Sequence, residues 1–245
     1  MYQELIDNHI SERYDKHQEE RGSDAGEWHP SSLTGCPRAA VYDFEGYDET
    51  DETEMRSKRI MDRGTEVHEF IQGAVIRDII AKGGQPSDFL PEVKVNFAGI
   101  KGSCDGLLKV DRDLYEVQEY KSIGPNGKKY LYPKPYGKRG PTNIPQAKPE
   151  HVKQARIYHH CLSRMGYALT DHVRIVYIDR DDWSVLEFEV PAWTEDEWYI
   201  FLAELGELED HVEEGTLPDR PEEYERDKFP CNFCNFNTRC WEQDA

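Results

Sequence analysis

No apolar run in this chain approaches the ~20 residues needed to cross a bilayer. The N-terminal stretch MYQELIDNHISERYDKHQEE has no short hydrophobic core of the signal-peptide kind, so a cytoplasmic protein with no membrane partner is expected. There is no internal repeat. Cysteines number only six, and in that compartment they are read as metal ligands or buried thiols rather than disulfides. Hydrophobic residues make up a modest 37%, but 11% aromatics supply enough apolar material for a core and exclude wholesale disorder. Cations are scarce as well: 30 Lys/Arg face 49 Asp/Glu, for a net charge of -19, which at first argues against a polyanionic partner.

The distribution of those cations reverses the argument. Between Lys121 and Arg164 stand ten Lys/Arg and one acid, Glu150, while the rest of the chain holds 20 Lys/Arg and 48 Asp/Glu. Screening confines charge effects to roughly 8–10 Å at physiological salt, so the local field decides association. A basic island on an acidic body can bind nucleic acid at one place, or it can be a solvated loop.

A chain of 245 residues suits one elaborated α/β domain. Residues 1–24 are polar, with weak helical spacing of Leu5, Ile6, Ile10 and Tyr14, and read as a surface helix or arm. A short helix follows Cys36-Pro37-Arg38, and then the acidic run Asp48–Glu54 is expected to be a solvated, mobile linker. Ile60, Val67, Ile71, Val75 and Ile79 recur at near-helical spacing, predicting a helix over about 57–81. Strands are predicted at Val93–Phe97, Ile100–Val110 and Leu114–Ser122. Residues 123–149 have loop composition, with a helix over about 150–165 beyond them. Val173–Ile178 and Val185–Val190 predict a β-hairpin, and Thr194-x-x-Glu197 a capping box for a helix to about Glu214. The sum is an α/β fold with a mixed central sheet flanked by helices. It forms a single domain with an N-terminal helical segment (1–56), a core (57–190) and a C-terminal segment (191–245).

The chemistry centres on Gly102-Ser103-Cys104-Asp105-Gly106 and, fourteen residues after that acid, Glu119-Tyr120-Lys121. Side chains alternate along a strand, so Glu119 and Lys121 share a face and Tyr120 takes the other. Asp105 on one strand and Glu119-x-Lys121 on its neighbour can put two carboxylates and an ammonium around one point. Hard divalent cations take such oxygens, and phosphodiester cleavage uses the metal to activate water and neutralise charge. This arrangement resembles the PD-(D/E)XK nuclease superfamily, in its RecB-like branch, which includes CRISPR-associated RecB-like exonucleases and AddB-type and replication helicase–nucleases. Four further elements carry the resemblance. These are Arg63-Gly64-Thr65-Glu66-Val67-His68, Gln154-x3-Tyr158, Leu33-x2-Cys36-Pro37-Arg38-x3-Tyr42 and Cys231-x2-Cys234-x5-Cys240, in family order from residue 31 to 240.

The resemblance implies a restriction-endonuclease-like core in which His68, Asp105 and Glu119, with the Tyr120 carbonyl, hold Mg2+ or Mn2+. Lys121 is then the catalytic cation, and Gln154 and Tyr158 position the strand. Glu92 stands where relatives often carry a further acid, but it is left out of the ligand set. By spacing alone, the four cysteines Cys36, Cys231, Cys234 and Cys240 would favour zinc. The resemblance instead implies a 4Fe-4S cluster that joins the N- and C-terminal segments. Cys104 and Cys161 match no cluster position and read as buried small hydrophobes. Lys128, Lys129, Tyr130, Tyr132, Lys134, Tyr136, Lys138 and Arg139 interleave charge with aromatics, as single-strand binding surfaces do, and Lys153 and Arg156 extend the cationic side.

The resulting expectation is a Mg2+/Mn2+-dependent DNA exonuclease acting on single-stranded or free ends. It would serve recombination, repair, replication or CRISPR-type processing, with or without a helicase or CRISPR partner. A stand-alone enzyme of a microbe, or of a virus acting in its host's cytoplasm, suits the size. The rival readings are a non-catalytic DNA-end-binding adaptor and a structure-specific endonuclease.

Overall fold

The computed structural model describes residues 2–22, 25–132 and 144–243. The chain divides into two compact units, Met1–Arg63 with Glu195–Ala245, and Gly64–Thr194.

The first unit is helical. Helix α1 (Tyr2–Gly22) has no apolar stripe: Leu5 and Ile6 are exposed, and of the residues at weak helical spacing only Ile10 is buried. Ion pairs hold it instead, with Arg59 forked on Asp7 (2.8 and 2.6 Å) and Arg13 paired with Asp62. Helix α2 (Pro37–Phe44) starts on a proline, whose fixed φ suits the first helical position and whose missing N–H is not needed there. It buries Tyr42 against Phe236 and Cys240 of the C-terminal segment. The acidic run 48–54 is largely exposed, as its composition suggests, but its centre is tied to the C-terminal segment. The Thr50 and Asp51 amides donate to the Asn235 carbonyl (2.9 and 3.0 Å), and the Asp51 carboxylate accepts from the Thr238 amide and hydroxyl (2.7 and 2.8 Å). Carboxylates that cap backbone amides are consumed by the fold, which a charge count cannot reveal.

Helix α3 (Met55–Ala81) begins in the first unit and continues in the second. There it meets a five-stranded sheet of β1 (Phe89–Phe97), β2 (Ile100–Asp111), β3 (Leu114–Ile123), β4 (Leu169–Asp179) and β5 (Val185–Pro191), in that spatial order. All neighbours are antiparallel except β3 and β4, which run parallel. The connection between that pair carries α4 (Pro125–Tyr130) and α5 (Pro149–Arg164). Helix α4 lies inside the stretch that composition marks as loop; Gly124 in extended backbone followed by Pro125 starts a helix there.

Alternation along the strands sorts the two faces. Tyr120, Val176 and Ile178 pack with Phe89 and with Val67, Ile71, Val75 and Ile79 of α3. Lys121 turns the other way and meets Gln154 of α5. The sheet is therefore flanked by one helix on each side, and the mixed α/β architecture expected from the sequence is present. Gly106 is required where it stands, because a Cβ there would come within 2.5 Å of the Phe89 ring. Helix α6 (Glu195–Glu214) belongs to the first unit and buries Trp198, Phe201 and Leu205.

Candidate functional site

Strand register sets the site. Pro91 pairs with Gly106 and Val93 with Cys104, which brings Glu92 and Asp105 opposite one another on β1 and β2. Gly106 pairs with Gln118 on β3, so Glu119 lies beside Asp105 as well. Glu92 adopts φ 50°, a left-handed conformation that a side-chain-bearing residue holds only under constraint. Its carboxylate accepts from the Gln72 amide of α3 (2.8 Å) and from the Ser103 hydroxyl (2.8 Å). Gln72 also donates to the Asp105 carbonyl at 3.0 Å. One turn earlier on α3, His68 Nδ1 is 3.5 Å from Asp105 Oδ1, and the donor atoms of His68, Glu92 and Asp105 lie within 4.8 Å of one another.

Asp105 Oδ2 accepts from the Tyr120 amide at 2.6 Å. The Tyr120 ring packs on the α3 side, where it meets the His68 ring edge-on with centroids 6.2 Å apart. Glu119 is 1% exposed, with Lys121 Nζ at 2.6 Å from one oxygen. The two groups pair by charge, since neither Glu119 oxygen receives a well-directed hydrogen bond. Burial, with the Asp105 charge second, pushes the Glu119 carboxyl up to about 7 against the pull of Lys121. Burial alone would lower His68, but the hydrogen bond and charge of Asp105 outweigh it and raise its pKa. The Lys121 ammonium is likewise raised, because Glu119 and Asp105 overcome the effect of burial. Lys121 Nζ donates to Gln154 Oε1 at 3.0 Å, and the Gln154 side chain hydrogen-bonds Tyr158. Burial, with the Glu119 and Asp105 charges, pushes the Tyr158 phenol well up, so it is a neutral hydroxyl.

His68, Asp105, Glu119, Lys121, Gln154 and Tyr158 are thus brought together. Glu92, Gln72 and Ser103 join them without having been assigned from the sequence. Gln72 had a legible signal, standing four residues after His68 on one helix face. The cationic candidates are more scattered. Lys128 Nζ donates to Ser184 (2.9 Å) and lies 3.4 Å from Asp179. Arg156 Nε donates to the Pro191 carbonyl at 2.9 Å, and Lys129 and Lys153 also have partners. Tyr132 is part-exposed. Lys134, Tyr136, Lys138, Arg139 and the Tyr130 side chain lie outside the described residues.

In the first unit, Cys36, Cys231, Cys234 and Cys240 line one cavity of about 310 Å3 together with Tyr42 and Trp241. All six cysteines are thiols, and Cys104 and Cys161 are fully buried elsewhere. Burial raises the pKa of Cys36, Cys231 and Cys234, with Cys234 pushed up to about 11. Arg220 donates to the Cys240 carbonyl (2.5 Å), reaches its Sγ at 4.0 Å, and stacks over the Trp241 ring. Among the described residues two sets of three donors converge within 4.8 Å, and neither contains a cysteine. The second set is Glu116, His172 and Glu189, but Arg174 already forks onto Glu116 with two bonds of 2.8 Å. A guanidinium occupies that position.

No helix among the described residues is long and apolar enough to cross a membrane. No family model matches the chain, and no curated protein matches it. Among solved structures, the protein SSO0001 aligns over 98% of this chain and 96% of its own, at 18% identity and a TM-score of 0.55; the two share a fold. An alkaline exonuclease from Laribacter hongkongensis, LHK-Exo, aligns over 80% of this chain and 95% of its own, at 19% identity and a TM-score of 0.42.

Proposed function

We propose that this protein is a divalent-metal-dependent nuclease that cleaves DNA from free ends, with a preference for single strands. The observation that carries the reading is the Glu119 carboxylate, buried beside Asp105 with neither oxygen satisfied by a directed donor. A second carboxylate this close raises the cost of ionising the first. Lys121 offsets one of the two charges, and a divalent cation would balance the other. Oxygens from Asp105 and Glu119 with one imidazole from His68 fit Mg2+ or Mn2+, and the Tyr120 main chain and Glu92 border the same space. When bound, the cation supplies an acidified water and neutralises charge at phosphorus.

The protein's own groups account for the rest. Lys121 keeps a proton at neutral pH and sits where an attacking water or a developing phosphorane charge needs a cation. Gln154 fixes the Lys121 ammonium by accepting from it at 3.0 Å. Tyr158 offers a neutral hydroxyl on the same helix face, suited to hold a phosphate or sugar oxygen. The cations between Lys121 and Arg164 supply the attraction for the strand.

End-labelled single-stranded DNA should shorten progressively in Mn2+, Asp105→Ala should abolish this, and closed single-stranded circles should survive. Undiminished cleavage by Asp105→Ala sinks the reading. A protein that retards DNA yet never shortens it is an adaptor, and cleavage of circles marks an endonuclease.

The same reading assigns a 4Fe-4S cluster to Cys36, Cys231, Cys234 and Cys240. A single zinc with Zn–S of about 2.3 Å would need its sulfurs within roughly 4 Å of one another. The four cysteines line one cavity of about 310 Å3, and four thiolates are the ligand set that a 4Fe-4S cluster takes. Its binding free energy would secure residues 36–44 to 231–240. A brown protein with about four irons per chain supports this, and colourless protein with one zinc overturns it.

A further inference from the structure

His151 has no role in the site described so far. It opens the first turn of α5, with Gln154 and Tyr158 following at spacings of three and seven, so all three share a helix face. Its Nδ1 lies 2.8 Å from the Tyr177 hydroxyl, which also accepts the Lys148 amide at 2.9 Å. Tyr177 is fully buried and pairs in register with Lys121 across the parallel strands, so the two side chains stand side by side on one face.

These contacts fix a tautomer. The Tyr177 oxygen accepts from Lys148, and a buried hydroxyl must also place its own hydrogen. Among the described residues its other bonded partner is His151, so the hydroxyl donates to Nδ1. The imidazole therefore carries its proton on Nε2. Burial, with Lys121 and Lys148 adding to it, lowers the His151 pKa to about 3, so the ring stays neutral. The result is a neutral N–H donor, part-exposed, held one turn before Gln154. Tyr177 on β4 stands beside Lys121 on β3, and Glu119, the residue opposite Asp105, is two positions back along β3. His151, above Tyr177, is thus offset from Glu119 by one strand spacing and two residues, roughly 8 Å, and from Asp105 by a further strand, roughly 12 Å. That is too far for the phosphate being cut and suits the next one along the strand.

Resting on the nuclease reading of this site, we infer that His151 Nε2–H binds a non-bridging oxygen of the phosphate adjacent to the one cleaved, in a tautomer set by Tyr177. A phosphate oxygen is only an acceptor, so a ring with its proton held on Nε2 is the form that can serve it. The contact is made in ground and transition states alike, and removing it should raise KM while kcat moves less than about twofold.

Two amides test this. Gln at 151 carries its NH2 near the position of Nε2, whereas Asn carries its amide near that of Nδ1. Binding of a fluorescent single-stranded oligonucleotide is measured by anisotropy in an Asp105→Ala background, and KM and kcat in the otherwise unchanged protein. His151→Phe and His151→Asn should weaken binding and raise KM about tenfold, and His151→Gln should restore both to within about threefold. Rescue by Asn but not Gln would mean that His151 serves only to satisfy Tyr177, and would overturn the inference, as would full binding by His151→Phe. Long-range 15N–1H correlation spectra of the metal-free protein provide a readout independent of cleavage: protonation at Nε2 is expected, and at Nδ1 it overturns the proposal. If the unmodified protein does not cleave yet Phe weakens binding and Gln restores it, the nuclease reading falls and the phosphate contact stands.

Discussion

The side-chain amide of Gln72 spans two strands, donating to the Glu92 carboxylate on β1 at 2.8 Å and to the Asp105 carbonyl on β2 at 3.0 Å. One helical residue thereby sets the relative position of two acids that face each other in register. Groups of this kind, which orient ligands without touching the metal, typically account for about 10–100-fold in metal affinity. Gln72→Leu should weaken Mn2+ binding by that order in a calorimetric titration while His68, Asp105 and Glu119 remain intact. Unchanged affinity would show that the strands alone hold the two acids.

The buried Glu119 predicts a pH signature in the metal-free protein. Its carboxyl is raised from the ordinary range to about 7, so the folded state binds a proton that the unfolded state has released. Stability should therefore fall as pH rises from about 4.5 to 7, by at most about 1.4 kcal/mol per pH unit, and level off above that. Glu119→Gln should flatten the profile across this window and raise the metal-free melting temperature at pH 8, while abolishing cleavage. Stabilisation by Mn2+ should grow across the same window. A metal-free profile that Glu119→Gln leaves unaltered counts against the burial argument.

In the proposed metal site His68 would bring an imidazole into a shell otherwise built of oxygens, and imidazole suits Mn2+ better than Mg2+. Activity with Mn2+ should exceed that with Mg2+, and His68→Ala should narrow the difference. Equal losses with the two metals would place His68 outside the shell.

The acidic run gives a prediction about stability rather than catalysis. Asp51 accepts from the amide and hydroxyl of Thr238, and Asp51→Ala leaves both donors without that carboxylate. Bonds to a charged acceptor are worth about 1.5–3 kcal/mol each at most, and part-exposure here puts the loss near the low end. Hydrogen exchange over residues 235–240 should accelerate while activity on DNA is kept. Unchanged exchange there would mean that the backbone bonds of Asn235 suffice.

Much of the fold was legible because burial imposes a period. Val93–Phe97 alternates and is a strand; Val67, Ile71, Val75 and Ile79 recur along one stripe and face the sheet. Pairing of Asp105 with Glu119-x-Lys121 was legible for the same reason, since alternation fixes which residues share a face. Glu92 was harder, because its use depends on a left-handed backbone that no local pattern announces in a residue other than glycine. Asp51 was misread because charge in sequence looks the same whether its partners are waters or backbone amides 187 positions away. His151 gave no sign at all, as its partner Tyr177 stands 26 residues distant on β4.

The parallel pairing of β3 with β4 carries one further consequence. Parallel neighbours cannot be joined by a tight turn; the chain must travel back the length of the sheet before it can re-enter it. Here that return is residues 124–168, almost the stretch in which ten cations gather against a single acid. The two-residue turns at 98–99 and 112–113 are as short as an antiparallel connection can be, and this return has no such short form. A third of the chain's cations, against one acid, thus fall almost wholly in the connection that parallel pairing of β3 and β4 obliges the sheet to keep.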